Sequence, residues 1–494
     1  MGSVPARIFG KLLLEVNHSD RELPLAPVCT DSRMVRPGNI FAAIPGTKQD
    51  GGAFIAEALD KGAAAVIYSG ELPCPAKEDI LLCKVSDPRG AVALLCRDRA
   101  GEPDAALRVY GVTGTNGKTT SAYLLRHILN AAEIPCGLVS TVEYDDGREI
   151  VPPTHTTPDP QTLFPLLAAM RANGMQAAAM EFSSHALAQG RLYGIRLRGG
   201  IFTNLTGDHL DFHGDMENYY QAKKRLFTDL IVPGGVAAIN IDDPNGRRLA
   251  EELAEERPDL KLPTFGVSED AGWRISDQAG DLNGCSFTLS NAEQAYNTRF
   301  SLPGEYNIRN LAGALTLLLC DGIAPAAVDA ALAAPLTVPG RLERFTAPNG
   351  ATFFVDYAHT DDALANVLST LKPLCQGRLI ALFGAGGDRD RSKRPRMGKA
   401  AAAWANKLLV TSDNPRSEDP LAIIKEIVTG IPDGSDCEII PDRREALRRA
   451  VGMAAPTDVV LVAGKGHENY QEIDGVKHHF DDREILKEFF GETK

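Results

Sequence analysis

The sequence predicts an α/β protein of three domains, and three observations carry that prediction. Apolar strand-like runs alternate with helical stretches along most of the chain. A glycine-rich loop, Gly111-Val-Thr-Gly-Thr-Asn-Gly-Lys118-Thr-Thr120, separates a strand-like run from a helix-like one. At 494 residues the chain is too long for one hydrophobic core, and its length corresponds to about three domains.

The first domain, residues 1–104, holds strand candidates at 39–44 and 64–68 and ends near Ala100-Gly-Glu-Pro-Asp104. The second, residues 105–336, opens on 107–112, which alternates like a half-buried strand. After the glycine-rich loop, residues 121–132 repeat apolar side chains at Leu124, Leu125, Ile128 and Leu129, the spacing of one helix face. Further strands at 176–181, 199–205 and 235–241 predict a parallel-sheet domain of the P-loop ATPase type. The segment Ala334-Pro-Leu-Thr-Val-Pro-Gly340 interrupts both periodicities and marks the next boundary. The third domain, residues 337–494, has strands at 351–357, 378–383, 407–411 and 459–463, an open parallel, Rossmann-like sheet.

Composition narrows the function classes. The chain is 44% hydrophobic and 24% charged, and no aliphatic run approaches the roughly 20 residues that span a bilayer. Arg7 and Lys11 interrupt the N-terminal apolar stretch too early for a signal peptide, so a cytoplasmic protein is expected. A net charge of −13 argues against a general nucleic-acid binder, which needs positive surface to displace counterions. Nine scattered cysteines without a CxxC pair read as reduced thiols.

The loop Gly114-Thr115-Asn116-Gly117-Lys118-Thr119-Thr120 has the chemistry of a phosphate cradle. Backbone N–H groups at a helix N-terminus face bound phosphate. Lys118 brings a mobile positive charge to ATP, and the Thr119 hydroxyl is a ligand for Mg²⁺. The usual spacing places a glycine at position 112, where this chain has Val112. Glu181 ends the apolar run Ala177-Ala-Ala-Met-Glu181, where a carboxylate can reach the metal, and His209 is a further ligand or orienting group. In open parallel sheets ligands bind beyond the carboxyl ends of the strands. In the third domain those ends carry Asp356-Tyr-Ala-His359, Gly384–Asp390, Asp413-Asn414-Pro415-Arg416 and Gly464-Lys-Gly-His-Glu468.

Taken together, the phosphate loop, Thr156-Thr-Pro158, Glu181-Phe-Ser-Ser-His185, Thr203-Asn-Leu-Thr-Gly-Asp-His-Leu-Asp-Phe-His213, Asn310 and Asp356-Tyr-Ala-His359 resemble the Mur ligase family across all three domains. In that family the shifted phosphate loop is the ordinary form. The resemblance implies an ATP-dependent amide ligase of peptidoglycan precursor synthesis, acting through an acyl phosphate on UDP-N-acetylmuramoyl-L-alanyl-D-glutamate. It implies that Lys223 becomes a carbamate and joins Thr119, Glu181 and His209 around Mg²⁺; without the resemblance, Lys223 and Lys224 read as solvated helix charges. It makes Asn310 an adenine contact and Arg341 and Asp356 groups that reach ATP from the third domain.

By the same resemblance Thr30, Ser32, Thr47, Lys48 and Gln49 hold the UDP portion, making the first domain a UDP-binding one, and Thr156, Thr157, Ser183, Gln189 and Arg191 grip the muramoyl dipeptide. His155 receives no role. The tetrapeptide Asp413-Asn414-Pro415-Arg416 resembles the form that selects meso-diaminopimelate, with Arg389 and Arg416 on the distal carboxylate, Glu468 accepting from the distal ammonium and Gly464 among the acceptor-binding residues. The alternatives are a lysine-adding ligase of the same family, a folylpolyglutamate-type ligase, a P-loop ATPase that makes no bond and a non-catalytic UDP-sugar module. The chain is expected to act as a monomer on small molecules, without nucleic-acid or membrane partners.

Overall fold

The computed structural model describes residues 4–46, 50–72 and 79–492. They separate into two compact units: the chain up to Lys118 with Ile128–Thr264 and Gly313–Ala324, and Thr119–His127 with Phe265–Ala312 and the chain from Pro325 onward.

The first unit holds strands β1 (Leu13–Val16), β2 (Val28–Cys29), β3 (Ile40–Ala42), β4 (Ala65–Tyr68) and β5 (Leu81–Val85), in the order β1-β5-β4-β3-β2. All neighbours are parallel except β1, which runs antiparallel to β5. It also holds β6 (Arg108–Thr113), β7 (Cys136–Val139), β8 (Tyr144–Asp145), β9 (Ile150–Val151), β10 (Ala177–Glu181), β11 (Leu197–Phe202) and β12 (Ile231–Asn240), ordered β12-β11-β6-β10-β7-β8-β9. The run from β12 to β7 is parallel, and β8 and β9 extend it as antiparallel ribbons. The sheet is therefore parallel through its middle, as the sequence suggested, with an antiparallel edge at β8 and β9. Only its middle has both faces covered, which is what parallel strands need. This corrects the reading of β6 as half-buried: Val109–Thr113 are all buried, because β6 lies between β10 and β11.

In the second unit β13 (Thr264–Gly266), β14 (Trp273–Asp281), β15 (Gly284–Ser290) and β16 (Ala295–Phe300) follow one another, with β14 to β16 an antiparallel meander. A further sheet comprises β17 (Glu343–Thr346), β18 (Thr352–Asp356), β19 (Leu379–Phe383), β20 (Lys407–Val410), β21 (Cys437–Ile439) and β22 (Val459–Ala463), ordered β17-β18-β22-β19-β20-β21. It is parallel but for β17. Its central strands alternate between two cores, with Phe354, Ala381 and Leu461 facing one and Phe353, Ile380 and Val460 the other. Double-sided burial is why these segments read as continuous apolar runs. A separate hairpin, β23 (Tyr470–Ile473) and β24 (Val476–His479), completes the unit. Among the described residues no helix is long and apolar enough to cross a membrane.

Candidate active site

The phosphate loop follows β6 and opens the helix Lys118–Ala131, three residues earlier than the apolar periodicity indicates. Gly117 caps that helix in the left-handed region, φ 88°. At Gly114, φ is +146° and a Cβ would lie 1.9 Å from Thr203 Oγ1, so only glycine fits. The segment after β11 braces the loop: Thr115 N donates to Asn204 O (2.9 Å), Asn116 N to Asn204 Oδ1 (3.0 Å) and Thr203 Oγ1 to Asn116 O (2.6 Å). Lys118 Nζ donates to Gly114 O at 3.0 Å and Thr115 O at 2.7 Å. Thr119 and Thr120 are buried in the helix's first turn.

Glu181 is fully buried at the carboxyl end of β10. Its Oε1 accepts from Thr141 N at 2.8 Å, and Thr141 Oγ1 lies 3.1 Å from both Glu181 Oε2 and Thr156 Oγ1. Thr157 Oγ1 donates to Glu181 O (2.8 Å) and accepts from Ser183 N (2.9 Å). Arg191 donates to Thr157 O (3.2 Å) and Gln189 Oε1 (2.9 Å) and pairs with Asp159 (3.2 Å). The structure thus brings Thr156, Thr157, Ser183, Gln189 and Arg191 into one network with Glu181.

Lys223, on the helix Met216–Arg225, is 1% exposed, so it is not a solvated helix charge. Its Nζ donates to Gly114 O at 2.7 Å and sits 4.4 Å from the centre of the Tyr219 ring. Burial, and then the nearby Lys118 charge, push its ammonium well below the ordinary lysine range. Lys224 turns away to Glu252 and Glu256, each at 2.7 Å. His209 is exposed and left-handed (φ 55°), with its ring 4.8 Å from that of His185, which is 5.6 Å from that of His213. Partial desolvation and the neighbouring positive charges lower the pKa of all three, His185 to about 4, which favours the neutral imidazole that can act as a ligand. Among the described residues no three His, Cys, Asp or Glu side chains converge as a metal cage. One carboxylate with hydroxyl, water and phosphate oxygens is how Mg²⁺ is ordinarily held, so this donor set fits that ion.

In the first domain Ser32 is buried and donates to Glu57 Oε2 (2.9 Å), while Lys61 joins Ser32 O (3.1 Å) to Glu57 Oε1 (2.7 Å). Thr30 is exposed. Thr47, Lys48 and Gln49 lie outside the described residues.

In the second unit Asn310 is buried and donates to Asn307 Oδ1 (3.2 Å). Arg341 Nη2 donates to Thr119 Oγ1 (3.0 Å), and its guanidinium stacks 4.8 Å from the centre of the Tyr357 ring. Asp356 is buried with both oxygens on backbone, accepting from Leu342 N (2.8 Å) and Ala358 N (2.9 Å). It positions the Arg341 loop. Three loops meet here backbone to backbone: Tyr357 N donates to Gly340 O (2.9 Å), Gly464 N to Asp356 O (3.1 Å), and a Cβ on Gly340 would come within 2.2 Å of His467 N.

The loops after β19, β20 and β22 are stitched together just as closely. Asp413 is buried against Gly464, whose Cβ would lie 2.3 Å from Asp413 Oδ2. Asn414 Nδ2 donates to Glu468 Oε2 (2.8 Å), and Asn414 O accepts from Gly387 N (2.9 Å). The carbonyl of Pro415 lies where a Cβ on Gly387 would fall, 1.9 Å away. Arg416 is left-handed (φ 53°) and pinned along β23 by its N to Glu472 O (3.0 Å) and its O from Asp474 N (2.8 Å). Its Nη1 donates to Gly387 O (2.6 Å), and its Nε lies 3.5 Å from Glu472. Arg389 is exposed, and both arginines border Gly386: a Cβ there would lie 2.9 Å from Arg416 Nη1 and 3.8 Å from Arg389 Cγ. Beneath them Arg394, fully buried, donates to Glu418 (2.7 and 2.9 Å), Glu426 (2.8 Å) and Gly386 O (3.3 Å).

Comparison with known proteins decides the family. Residues 112–318 match the Mur ligase middle domain, residues 340–466 the Mur ligase glutamate ligase domain and residues 25–100 the Mur ligase family catalytic domain. A Geobacter metallireducens protein named UDP-N-acetylmuramoyl-L-alanyl-D-glutamate--2,6-diaminopimelate ligase is 40% identical, covering 99% of this chain and 96% of its own. The chain belongs to the Mur ligase family. A Synechococcus elongatus protein of the same name is 41% identical over 98% of this chain and 96% of its own. A solved structure of a ligase of that name is 34% identical with a TM-score of 0.70, covering 100% and 99% of the two chains. Mycobacterium tuberculosis folylpolyglutamate synthase, 20% identical with a TM-score of 0.63 over 76% of this chain and 92% of its own, shares the fold.

This Mur ligase also uses residues that sequence reasoning passed over. Thr141, just beyond β7, holds Glu181, and its place past a strand's carboxyl end was the available signal. Arg443 and Asp482, both fully buried, pair at 2.7 Å, and Arg443 also donates to Ser412 O (3.3 Å) and Ala463 O (2.9 Å), fastening the ends of β20 and β22. No motif announces that pair.

Proposed function

We infer that this Mur ligase joins meso-2,6-diaminopimelate to UDP-N-acetylmuramoyl-L-alanyl-D-glutamate at the expense of ATP. The relatives that match it end to end carry that name. The observation that carries the acceptor is two arginines bordering Gly386 together with a half-buried carboxylate, Glu468, that accepts from Asn414, two residues before Arg416. Diaminopimelate presents a distal carboxylate and a distal ammonium, and lysine only the ammonium, so Arg389 and Arg416 favour the former and repel the latter.

In this reading Gly114–Thr120 and Asn310 bind ATP, with Lys118 on the phosphates. Thr119, Glu181, His209 and Lys223 as its carbamate would hold Mg²⁺, which neutralises the negative charge that gathers when carboxylate and triphosphate meet. Lys223 suits carbamate formation because its amine is buried and readily neutral, and only a neutral amine adds to CO₂. The D-glutamyl side-chain carboxylate oxygen attacks the γ-phosphorus and ADP leaves. The acceptor's amine then attacks the acyl carbon, the C–O bond to phosphate breaks, and the amine gives up a proton. Thr30, Ser32, Thr47, Lys48 and Gln49 hold the UDP end, and Thr156, Thr157, Ser183, Gln189 and Arg191 the dipeptide end. The enzyme works as a cytosolic monomer.

The test is phosphate release with the UDP-muramoyl dipeptide and a panel of amino acids. Release that needs both the dipeptide and diaminopimelate supports the reading. Equal turnover without either would favour a P-loop ATPase, and preference for lysine would favour the lysine-adding ligase.

A further inference from the structure

Lys465, beside the loops that carry Asp413–Arg416 and Glu468, has no exposed surface. It lies between Gly464 and Gly466 just beyond β22, and both glycines have positive φ, 111° and 52°. Its Nζ donates to Asn414 Oδ1 (3.3 Å), to Glu468 Oε2 (3.4 Å) and to Tyr470 O. Asn414 Oδ1 accepts also from Glu472 N (3.0 Å), while Asn414 Nδ2 donates to Glu468 Oε2 (2.8 Å). That amide can be written only one way round. Among the described residues these contacts fall on Oε2 of Glu468, leaving Oε1 to meet an incoming ammonium.

We propose that Lys465 is a positioning residue for the acceptor: its ammonium ties Asn414 to Glu468 and keeps the Glu468 carboxylate anionic and aimed at the acceptor's distal ammonium. The proposal rests on the acceptor reading above. Glu468 needs such a partner. Burial, and then the Asp413 carboxylate, drive its pKa upward, and Lys465 is the principal charge opposing them. Tyr357, Tyr470 and Arg443 also face this cluster; Arg443 is bound to Asp482, and the two phenols stay protonated because burial raises them. A buried carboxylate deprived of its cation takes up a proton instead.

The test measures diaminopimelate-dependent phosphate release across about pH 6 to 9 for the parent enzyme, Lys465→Met, Lys465→Arg, Glu468→Gln and the double variant. Lys465→Met should raise KM for diaminopimelate about tenfold near neutral pH, the scale of one charge-assisted contact, with kcat changed less than about threefold. The rise should steepen as pH falls, as Glu468 protonates, while the parent's KM stays level. Lys465→Arg should restore most of the affinity. The double variant should match Glu468→Gln, with no added loss and no pH dependence. Should Lys465→Met not fold, that comparison still decides, because the double variant buries no unpaired carboxylate at Glu468. An unchanged KM in Lys465→Met, or losses that add in the double variant, would overturn the proposal. A parent enzyme that ignores diaminopimelate fails earlier and overturns the acceptor reading itself.

Discussion

Replacing Arg416 by alanine should cost this enzyme most of its preference for diaminopimelate over lysine. A guanidinium has five N–H donors. In this structure one Nη1 donor serves Gly387 O at 2.6 Å, and Nε faces Glu472 at 3.5 Å. Three donors on the two terminal nitrogens are left, enough for a two-point grip on a carboxylate. Each charge-assisted bond contributes about 1.5–3 kcal/mol, a gross loss of about 3–6 kcal/mol. Water takes over part of that role and Arg389 remains, so a net loss of about 3 kcal/mol, roughly a hundredfold in kcat/KM, is expected for diaminopimelate. Lysine has no distal carboxylate for such a grip and should change far less. The assay is kcat/KM for both acceptors in parent and Arg416→Ala, with ATP affinity as the control. An unchanged ratio of the two acceptors would refute the argument.

Lys223→Ala should lose most activity yet keep its affinity for the UDP substrate, and short carboxylic acids should restore part of the rate by supplying oxygen ligands; parent-like turnover would remove Lys223 from the reaction. Gly114→Ala should abolish ATP binding, because its methyl would fall 1.9 Å from Thr203 Oγ1; a nucleotide titration indistinguishable from the parent's would contradict this. Glu418 is held down to about 2, from 4.5, by its bonds to Arg394. A carboxylate depressed in the folded state stabilises fully above its unfolded pKa, and that contribution fades as pH falls from about 4.5 toward 2. Urea unfolding at neutral pH and near pH 3 should therefore show Glu418→Gln with a weaker acid dependence than the parent; equal dependence would count against it.

Strands buried on both faces were plain in the sequence: residues 459–463 coincide with β22, and β10 misses its predicted span by one residue. The meander β14–β16 was not, because much of β14 faces solvent and carries Ser276, Asp277 and Gln278 in place of an apolar run. The hairpin β23–β24 was missed for a stronger reason. All of β24 is exposed, and the hairpin grips Asp413–Arg416 mainly through backbone groups, which leave no side-chain pattern. Among the candidate site residues, Lys118 stood out through its glycine-rich loop, and Glu181 and Arg416 as polar groups at or just beyond strand ends. Lys465 did not, since a lysine between two glycines looks like a turn until its burial is known.

Gly340, Asp356 and Gly466 pack with so little clearance that the segments bearing Arg341 and Glu468 form a single solid piece. A tilt of one is a tilt of the other. A ligand that draws Arg341 into place therefore also sets the attitude of Glu468, and thermodynamic reciprocity demands the converse for an acceptor resting on Glu468. On the roles proposed above for Arg341 and Glu468, nucleotide and amino acid share one lever arm, and the affinity of each should report whether the other has arrived.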